Sequence, residues 1–372
     1  MQKIAIIGAS YLQLPLVKKA KEMGLYTLCF AWADGAVCKD EADEFFPISI
    51  VEKEQILSIC QEKQIDGICT IASDVAAPTV AFVAEKMGLV GNSYEAAMRA
   101  NNKYLMRQAF SVAGIPCPAY HRITSFDQLD SKELLFPVIV KPSDRSGSLG
   151  ITKVERWEEL QTAVETALNC SFKHEAMVEE FVEGREISVE FISYSGVHYP
   201  LQITDKVTTE APHFVELEHH QPADLTLEQY LWVYDLTKKA LKALGVTDGA
   251  SHSEYKITED GRIYVMEIGA RMGGDFIGSD LVQLSTGYDY LKGVIEVALG
   301  RFTEPVFGER HHAGVYFLCE ETRQLLPVIK LASLPGIVRA EVTDENLRSV
   351  TCSADRSGYL IYKSLNERIV LK

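Results

Sequence analysis

The stretch SHSEYKITEDGRIYVMEIG, residues 251–269, decides the fold. Asp260-Gly261 at its centre is a strong two-residue turn signal, and polar and apolar residues alternate on either side, so the segment reads as a β-hairpin. An even-length loop centred there pairs Glu259 with Arg262, Lys256 with Val265 and Glu254 with Glu267. The last pair sets two carboxylates opposite each other on one face, their Cβ atoms roughly 4.5–5.5 Å apart. Like charges so placed destabilise a ribbon unless a cation lies between them. His252 and Lys256 share that face, because side chains alternate with period 2. A hard divalent ion such as Mg²⁺, held by two carboxylates plus substrate phosphates, fits this pattern. Two other readings stay open: a register shifted by one separates the glutamates, and one glutamate paired with Lys256 needs no metal.

Just beyond the hairpin, Gly269-Ala270-Arg271-Met272-Gly273-Gly274 leaves an arginine in a glycine-flanked turn. A planar guanidinium there suits a phosphoryl or acyl-phosphate oxygen, or equally a structural ion pair.

Upstream, Phe136-Pro137-Val138-Ile139-Val140-Lys141-Pro142 is an apolar strand ending in a lysine, and Ser143 to Gly150 is a loop rich in Ser and Gly leading to a second strand at Ile151–Val154. Such a loop can turn backbone N–H groups toward an oxyanion, and Lys141 adds a point charge for phosphate. A long hairpin with a solvated lysine is the alternative. Val178 to Glu186 reads as a strand, a turn and the start of another strand. Apolar residues then alternate through Ile187, Val189 and Phe191, leaving Glu186, Ser188 and Glu190 on the other face. Acidic residues there suit ribose hydroxyls and an adenine amino group, or a charged hairpin edge.

The first hundred residues alternate strands (Lys3–Ile7, Tyr26–Ala31, Gly67–Ile71) with helices (Leu14–Met23, Glu52–Lys63, Ala76–Gly88), the pattern of a parallel sheet covered on both faces. Gly8 lacks the glycine partners of a dinucleotide fingerprint, since Ser10 and Gln13 stand at those positions. Asp74 follows the third strand at the carboxyl edge of the sheet, which makes it either a substrate residue or a helix N-cap. Beyond this, Asn101–Ala113 reads as one helix and Leu227–Leu244 as another, and the tail from about 303 as short strands.

The 372 residues carry 37 Lys and Arg against 52 Asp and Glu, a net charge of −15, which argues against binding a phosphate polymer. No apolar run approaches the ~20 residues of a membrane span, and Met1-Gln2-Lys3 leads straight into a strand and not a signal peptide. The eight cysteines are scattered without zinc-site spacing and read as buried thiols of a reducing cytoplasm.

Taken in order, these segments resemble the ATP-grasp superfamily of carboxylate–amine ligases, in particular the branch of L-amino-acid (dipeptide) ligases and carbamoyl-phosphate-synthase-like proteins. The resemblance implies an α/β and α+β chain in three parts. These are an N-terminal parallel-sheet α/β domain over 1–95, a two-part nucleotide clamp over 96–302 with its lid at about 118–190, and a strand-rich C-terminal subdomain over 303–372. It implies ATP as cofactor with Mg²⁺, or Mn²⁺ in its place. Lys103 and Lys141 would bind the phosphates together with Ser146, Gly147 and Ser148 of the loop. Glu179, Glu180, Phe181 and Val182 would form the adenine hinge, Glu186 would take the ribose, Glu254 and Glu267 the metal, and Arg271 the reacting phosphoryl group. Asp74, Glu216, His219, His252, Gly273 and Gly274 are the substrate-side candidates, with His252 and His219 considered for the base. Where many relatives have Glu-x-Asn, this chain reads Glu267-Ile268-Gly269, so one metal ligand is missing. The implied partners are a small-molecule carboxylate and an amine, with no nucleic acid or membrane, in a cytoplasmic homodimer. The rivals are a carboxyl kinase like half of a carbamoyl-phosphate synthase, a purine-pathway ligase, and a non-catalytic ATP-binding regulatory subunit.

Overall fold

The computed structural model describes residues 1–145, 149–209, 211, 213–331 and 335–371. Its N-terminal part is a four-stranded sheet of β1 (Lys3–Ile7), β2 (Tyr26–Phe30), β3 (Glu44–Phe46) and β4 (Gly67–Cys69), ordered β3-β2-β1-β4 with every pairing parallel. Helices α1 (Leu14–Glu22) and α2 (Lys53–Lys63) make crossovers between its strands, and α3 (Ala77–Met87) follows the last of them. β1 and β2 are continuous apolar runs because both faces of the sheet are covered.

The helix expected over Asn101–Ala113 is α5 (Lys103–Val112), and a separate helix the sequence reading does not include, α4 (Tyr94–Asn101), precedes it. Asn102 separates them with extended backbone, and its side-chain oxygen accepts the Leu105 N–H at 3.0 Å. N-capping therefore wins over helix continuation. The break has a consequence for the site: it sets Lys103 in the first turn of α5, where its N–H donates to the Ser143 carbonyl at 2.9 Å.

A second four-stranded sheet, antiparallel and ordered β5-β8-β6-β7, follows. It contains β5 (Tyr120–Ile123), β6 (Val138–Pro142), β7 (Thr152–Val154) and β8 (Ala176–Glu180), and it packs on the apolar face of α6 (Trp157–Cys170).

The remaining strands form one eight-stranded sheet ordered β13-β12-β9-β10-β11-β14-β16-β15. They are β9 (Arg185–Tyr194), β10 (Val197–Thr208), β11 (Glu216–Gln221), β12 (Gly249–Ile257), β13 (Ile263–Gly269), β14 (His312–Leu318), β15 (Ile337–Val342) and β16 (Gly358–Ser364). Two boundaries differ from the sequence reading. β9, which the reading places at the end of the lid, is a central strand here, and the tail strands continue the same sheet. The hydrogen-bond ladders cross both proposed boundaries, which composition along the chain does not reveal. One face of β9, β10, β12 and β13 carries Ile187, Val189, Phe191, Ile203, Tyr255 and Val265 against α5 and α7 (Leu227–Leu244). α7 begins at a Thr226–Gln229 capping box. No described helix is long and apolar enough to cross a membrane.

Candidate active site

The other face of the large sheet is polar, and its strand register explains why. Lys256, Glu186, Lys206 and His219 lie directly across from one another in β12, β9, β10 and β11. One pleat further along, Glu254, Ser188 and Thr204 make a second row, and His252, Glu190 and Gln202 a third. Period-2 alternation sends all of these side chains to the same side.

The β12–β13 ribbon reaches its glutamate pair by a route the turn signal does not show. Near the turn, Lys256 pairs with Tyr264, not Val265, and Thr258 N–H donates to Arg262 O at 2.9 Å, so Glu259 faces no partner. The loop thus has three residues, with Gly261 in the left-handed region (φ +83°), a common variant of the expected two-residue turn. A bulge at Met266 then shifts the register by one, and Glu254 stands opposite Glu267. The Met266 carbonyl accepts a hydrogen bond from Arg107 Nη2 at 2.7 Å.

From these rows Lys206, His219, Glu254 and His252, joined by Glu267, line a cavity of about 390 Å³ that also receives Lys103, Lys141, Arg145, Asp74, Glu216, Arg271 and Gly274; Glu186 lies behind them, outside its wall. Lys103 Nζ lies 3.1 Å from Glu267 and donates to the Arg145 carbonyl at 2.7 Å. Lys206 Nζ lies 2.6 Å from Glu254, 2.8 Å from Glu186 and 3.5 Å from Glu216. Burial disfavours its ammonium, but the three carboxylates hold its pKa well above the usual lysine value. Glu186 also meets Lys256 at 3.2 Å. Glu179, expected in the adenine hinge, turns its carboxylate inward between Lys141 (2.6 Å) and Arg107 (3.0 Å) and is 2% exposed. Its neighbours in that hinge, Glu180, Phe181 and Val182, border a separate surface hollow of about 670 Å³ shared with the tip of the β12–β13 hairpin. Ser146, Gly147 and Ser148 lie outside the described residues.

Residues 134–280 match the family model for the ATP-grasp domain. The chain contains an ATP-grasp domain. Among curated relatives, an uncharacterized protein of Sinorhizobium fredii is 29% identical over 308 residues, covering 79% of this chain and 61% of that protein. Alanine–anticapsin ligase of Bacillus subtilis is 28% identical over 245 residues, covering 59% of this chain and 51% of the ligase. The chain therefore spans between half and two thirds of the length of these relatives. The crystal structure of L-amino acid ligase from Bacillus licheniformis shares the fold, with a TM-score of 0.80 over 98% of this chain and 94% of that one at 23% identity.

On the side of the cavity facing the N-terminal sheet, the ATP-grasp domain is stitched to the β4–α3 loop. Ile71 bridges to Met272, Ala72 N–H donates to Met272 O at 3.0 Å, and Arg271 grips Asp74 with Nε at 2.8 Å and Nη2 at 2.7 Å. Asp74 therefore neither caps α3 nor stands free for substrate; α3 has no side-chain cap. The pair also gives a physical reason for Gly269: a Cβ there would lie 2.4 Å from Asp74 Oδ1. Any larger residue, an asparagine included, would force Asp74 or the turn itself to shift.

His252 Nδ1 bonds to the fully buried Glu190, whose other oxygen accepts the Gly273 N–H at 3.0 Å. Burial opposes its protonation, but Glu190 and Glu254 raise its pKa to about 9, so at neutral pH it is an imidazolium and not a base. His219 is the reverse. Burial, with Lys206 and Arg356 nearby, lowers its pKa well below the usual value and keeps it neutral. Gly273 sits behind the main cavity wall, whereas Gly274 lines it.

The sequence reading assigns Lys206, Glu190 and Arg107 no role of their own, although it sets Glu190 beside Glu186 on the acidic face of its strand. The alternation of Gln202, Thr204 and Lys206 along one strand signals a polar face and would have found the lysine. Arg107 shows no such signal, because its partners come from β8 and β13, far away in sequence.

Proposed function

We propose that the chain is an ATP-dependent carboxylate–amine ligase that forms an amide between amino-acid substrates through an acyl phosphate. The observation that carries this reading is the convergence of Lys103, Lys141, Lys206, Glu254, Glu267 and Arg271 on one polar cavity of an ATP-grasp domain. Two opposed carboxylates on a rigid ribbon amid cations suit a nucleoside triphosphate with its metal. The likeness to the alanine–anticapsin ligase of Bacillus subtilis supports an amino-acid acceptor or donor.

The donor set fits Mg²⁺. Glu254 and Glu267 are hard oxygen donors, their side chains 29% and 30% exposed in the cavity, and their present partners are the ammonium groups of Lys206 and Lys103. Among the described residues no group of three or more Asp, Glu, His or Cys is placed to hold a metal ion, so an ion on Glu254 and Glu267 would need phosphates and water to complete its ligands; Mn²⁺ is the alternative ion. Glu254 and Glu267 would hold the metal, which when bound neutralises charge on the terminal phosphates.

The chain's own groups then act by position and charge. Lys103 and Lys141 hold the phosphates, and an oxygen of the substrate carboxylate attacks the γ-phosphorus while ADP leaves. Arg271, fixed by Asp74, and the His252 imidazolium, fixed by Glu190, stabilise charge on the phosphoryl and acyl oxygens. The amine next attacks the acyl carbon and phosphate departs. The departing phosphate can carry away the proton the amine loses, because burial and the charges of Lys206 and Arg356 oppose proton uptake by His219. Eight free cysteines suit the cytoplasm, and a homodimer completes the reading. The test is ADP release from ATP and Mg²⁺ with panels of carboxylic acids and amines. Release that needs both supports the ligase, and release with the acid alone replaces it with a carboxyl kinase.

A further inference from the structure

We propose that Arg356, on the segment between β15 and β16, is a positioning residue that builds the second-substrate wall of the cavity. This inference rests on the ligase reading and assigns a role to a part of the chain in which the sequence shows no chemistry.

The guanidinium of Arg356 joins two cavity-lining carboxylates from distant segments. Nη1 donates to Asp275 at 2.8 Å, and Nη2 donates to Glu216 at 3.1 Å and to the Ser353 hydroxyl at 2.7 Å. Its central carbon lies 3.9 Å from the centre of the Phe317 ring, and the side chain is 7% exposed. Glu216 opens β11, whereas Asp275 belongs to the turn after β13, next to Gly274. Without a cation between them, two carboxylates facing one cavity repel each other. A planar fork on an aromatic ring fixes both, and a lysine has no such geometry.

The turn itself needs holding. Asp275 and Phe276 both have positive φ, +49° and +65°, although neither is glycine. Such a conformation is unfavourable for a residue with a side chain and persists only where its surroundings enforce it. Arg356 binds Asp275, and Phe276 lies along Phe317, the ring beneath Arg356. Lys206, Glu216, Arg356 and Asp275 thus form one chain of charges from the middle of the sheet to the turn carrying Gly274. Lys103 and Lys141 stand outside it, on α5 and β6. Loss of Arg356 should therefore fall on the second substrate and spare the nucleotide.

The experiment compares wild type, Arg356→Gln and Arg356→Lys, with an equimolar pool of the twenty L-amino acids as probe. In Arg356→Gln the KM for the pool rises about 10-fold or more while the KM for ATP moves less than about 2-fold, and Arg356→Lys recovers part of the loss. Equal changes in both KM values, or none, overturn the proposal. Amide hydrogen exchange supplies a readout independent of turnover. Segments 214–218 and 273–277 exchange faster in Arg356→Gln while 103–112 and 138–142 do not, and unchanged protection in the first two overturns the proposal. If the wild type releases no ADP with the pool, the ligase reading fails for these substrates, and the exchange result still decides whether Arg356 holds the wall.

Discussion

Arg271 and Asp74 form a two-pronged ion pair, at 2.8 and 2.7 Å, between the turn after β13 and the loop after β4. Both side chains are largely buried, at 16% and 14% exposure. Burial disfavours the charged forms, but each partner overcomes this for the other: the carboxylate stays below its usual pKa and the guanidinium above. The N-terminal sheet thereby sets the position of an arginine proposed to act on the reacting phosphoryl group.

Replacing Asp74 by Asn keeps the shape and removes the charge that aims Arg271. A misplacement of ~1 Å in such a group costs about 10²-fold in rate, so kcat should fall by that order while the Kd for an ATP analogue stays near wild type. Steady-state kinetics paired with calorimetric titration separates the two quantities, and an unchanged kcat would show that Asp74 does not govern Arg271.

Gly269→Ala tests the same contact from the other side. Its Cβ would come within 2.4 Å of Asp74 Oδ1, so either the carboxylate or the turn must move. The variant should match Asp74→Asn in kcat, and the double variant should lose little more, because both changes break one interaction. Additive losses in such a cycle would separate the glycine from the ion pair.

Glu254→Gln and Glu267→Gln each remove one of the opposed carboxylates. Turnover should drop by about 10²-fold or more in each, with circular dichroism unchanged. Retention of wild-type ADP release by either variant would remove that residue from the proposed metal pair.

Glu179 predicts a pH dependence of stability. Burial raises its pKa, but Arg107 and Lys141 reverse the effect and lower it from 4.5 to about 2. A folded-state pKa below the unfolded value contributes stability above about pH 4.5 that disappears as pH falls toward 2, of the order of 3 kcal/mol. Thermal melts from pH 7 to pH 3 should show a falling Tm whose slope is shallower in Glu179→Gln. Parallel curves for the two proteins would assign the acid sensitivity to other groups.

The sequence makes legible whatever depends on local pattern. Alternation and the Asp260-Gly261 signal are enough to find the ribbon, and the apolar runs of β1 and β2 are enough to find a parallel sheet. The pairing of Glu254 with Glu267 is also legible, although the three-residue loop and the Met266 bulge offset each other and neither is visible in the residues alone. What fails are properties set by distant partners. Glu179 looks like a free hinge acid until Arg107 and Lys141 are seen beside it, and Asp74 looks like a cap until Arg271 is. His252 looks like a base until Glu190 is seen beside it, favouring its protonated form.

The central claim is that a substrate carboxyl oxygen attacks the γ-phosphorus of ATP in this cavity. Supplying the amino-acid pool with oxygen-18 in its carboxyl groups, together with ATP and Mg²⁺, and weighing the released phosphate by mass spectrometry tests it most directly. Each phosphate formed should carry one labelled oxygen from the acid. Release of ADP with phosphate free of the label would contradict it.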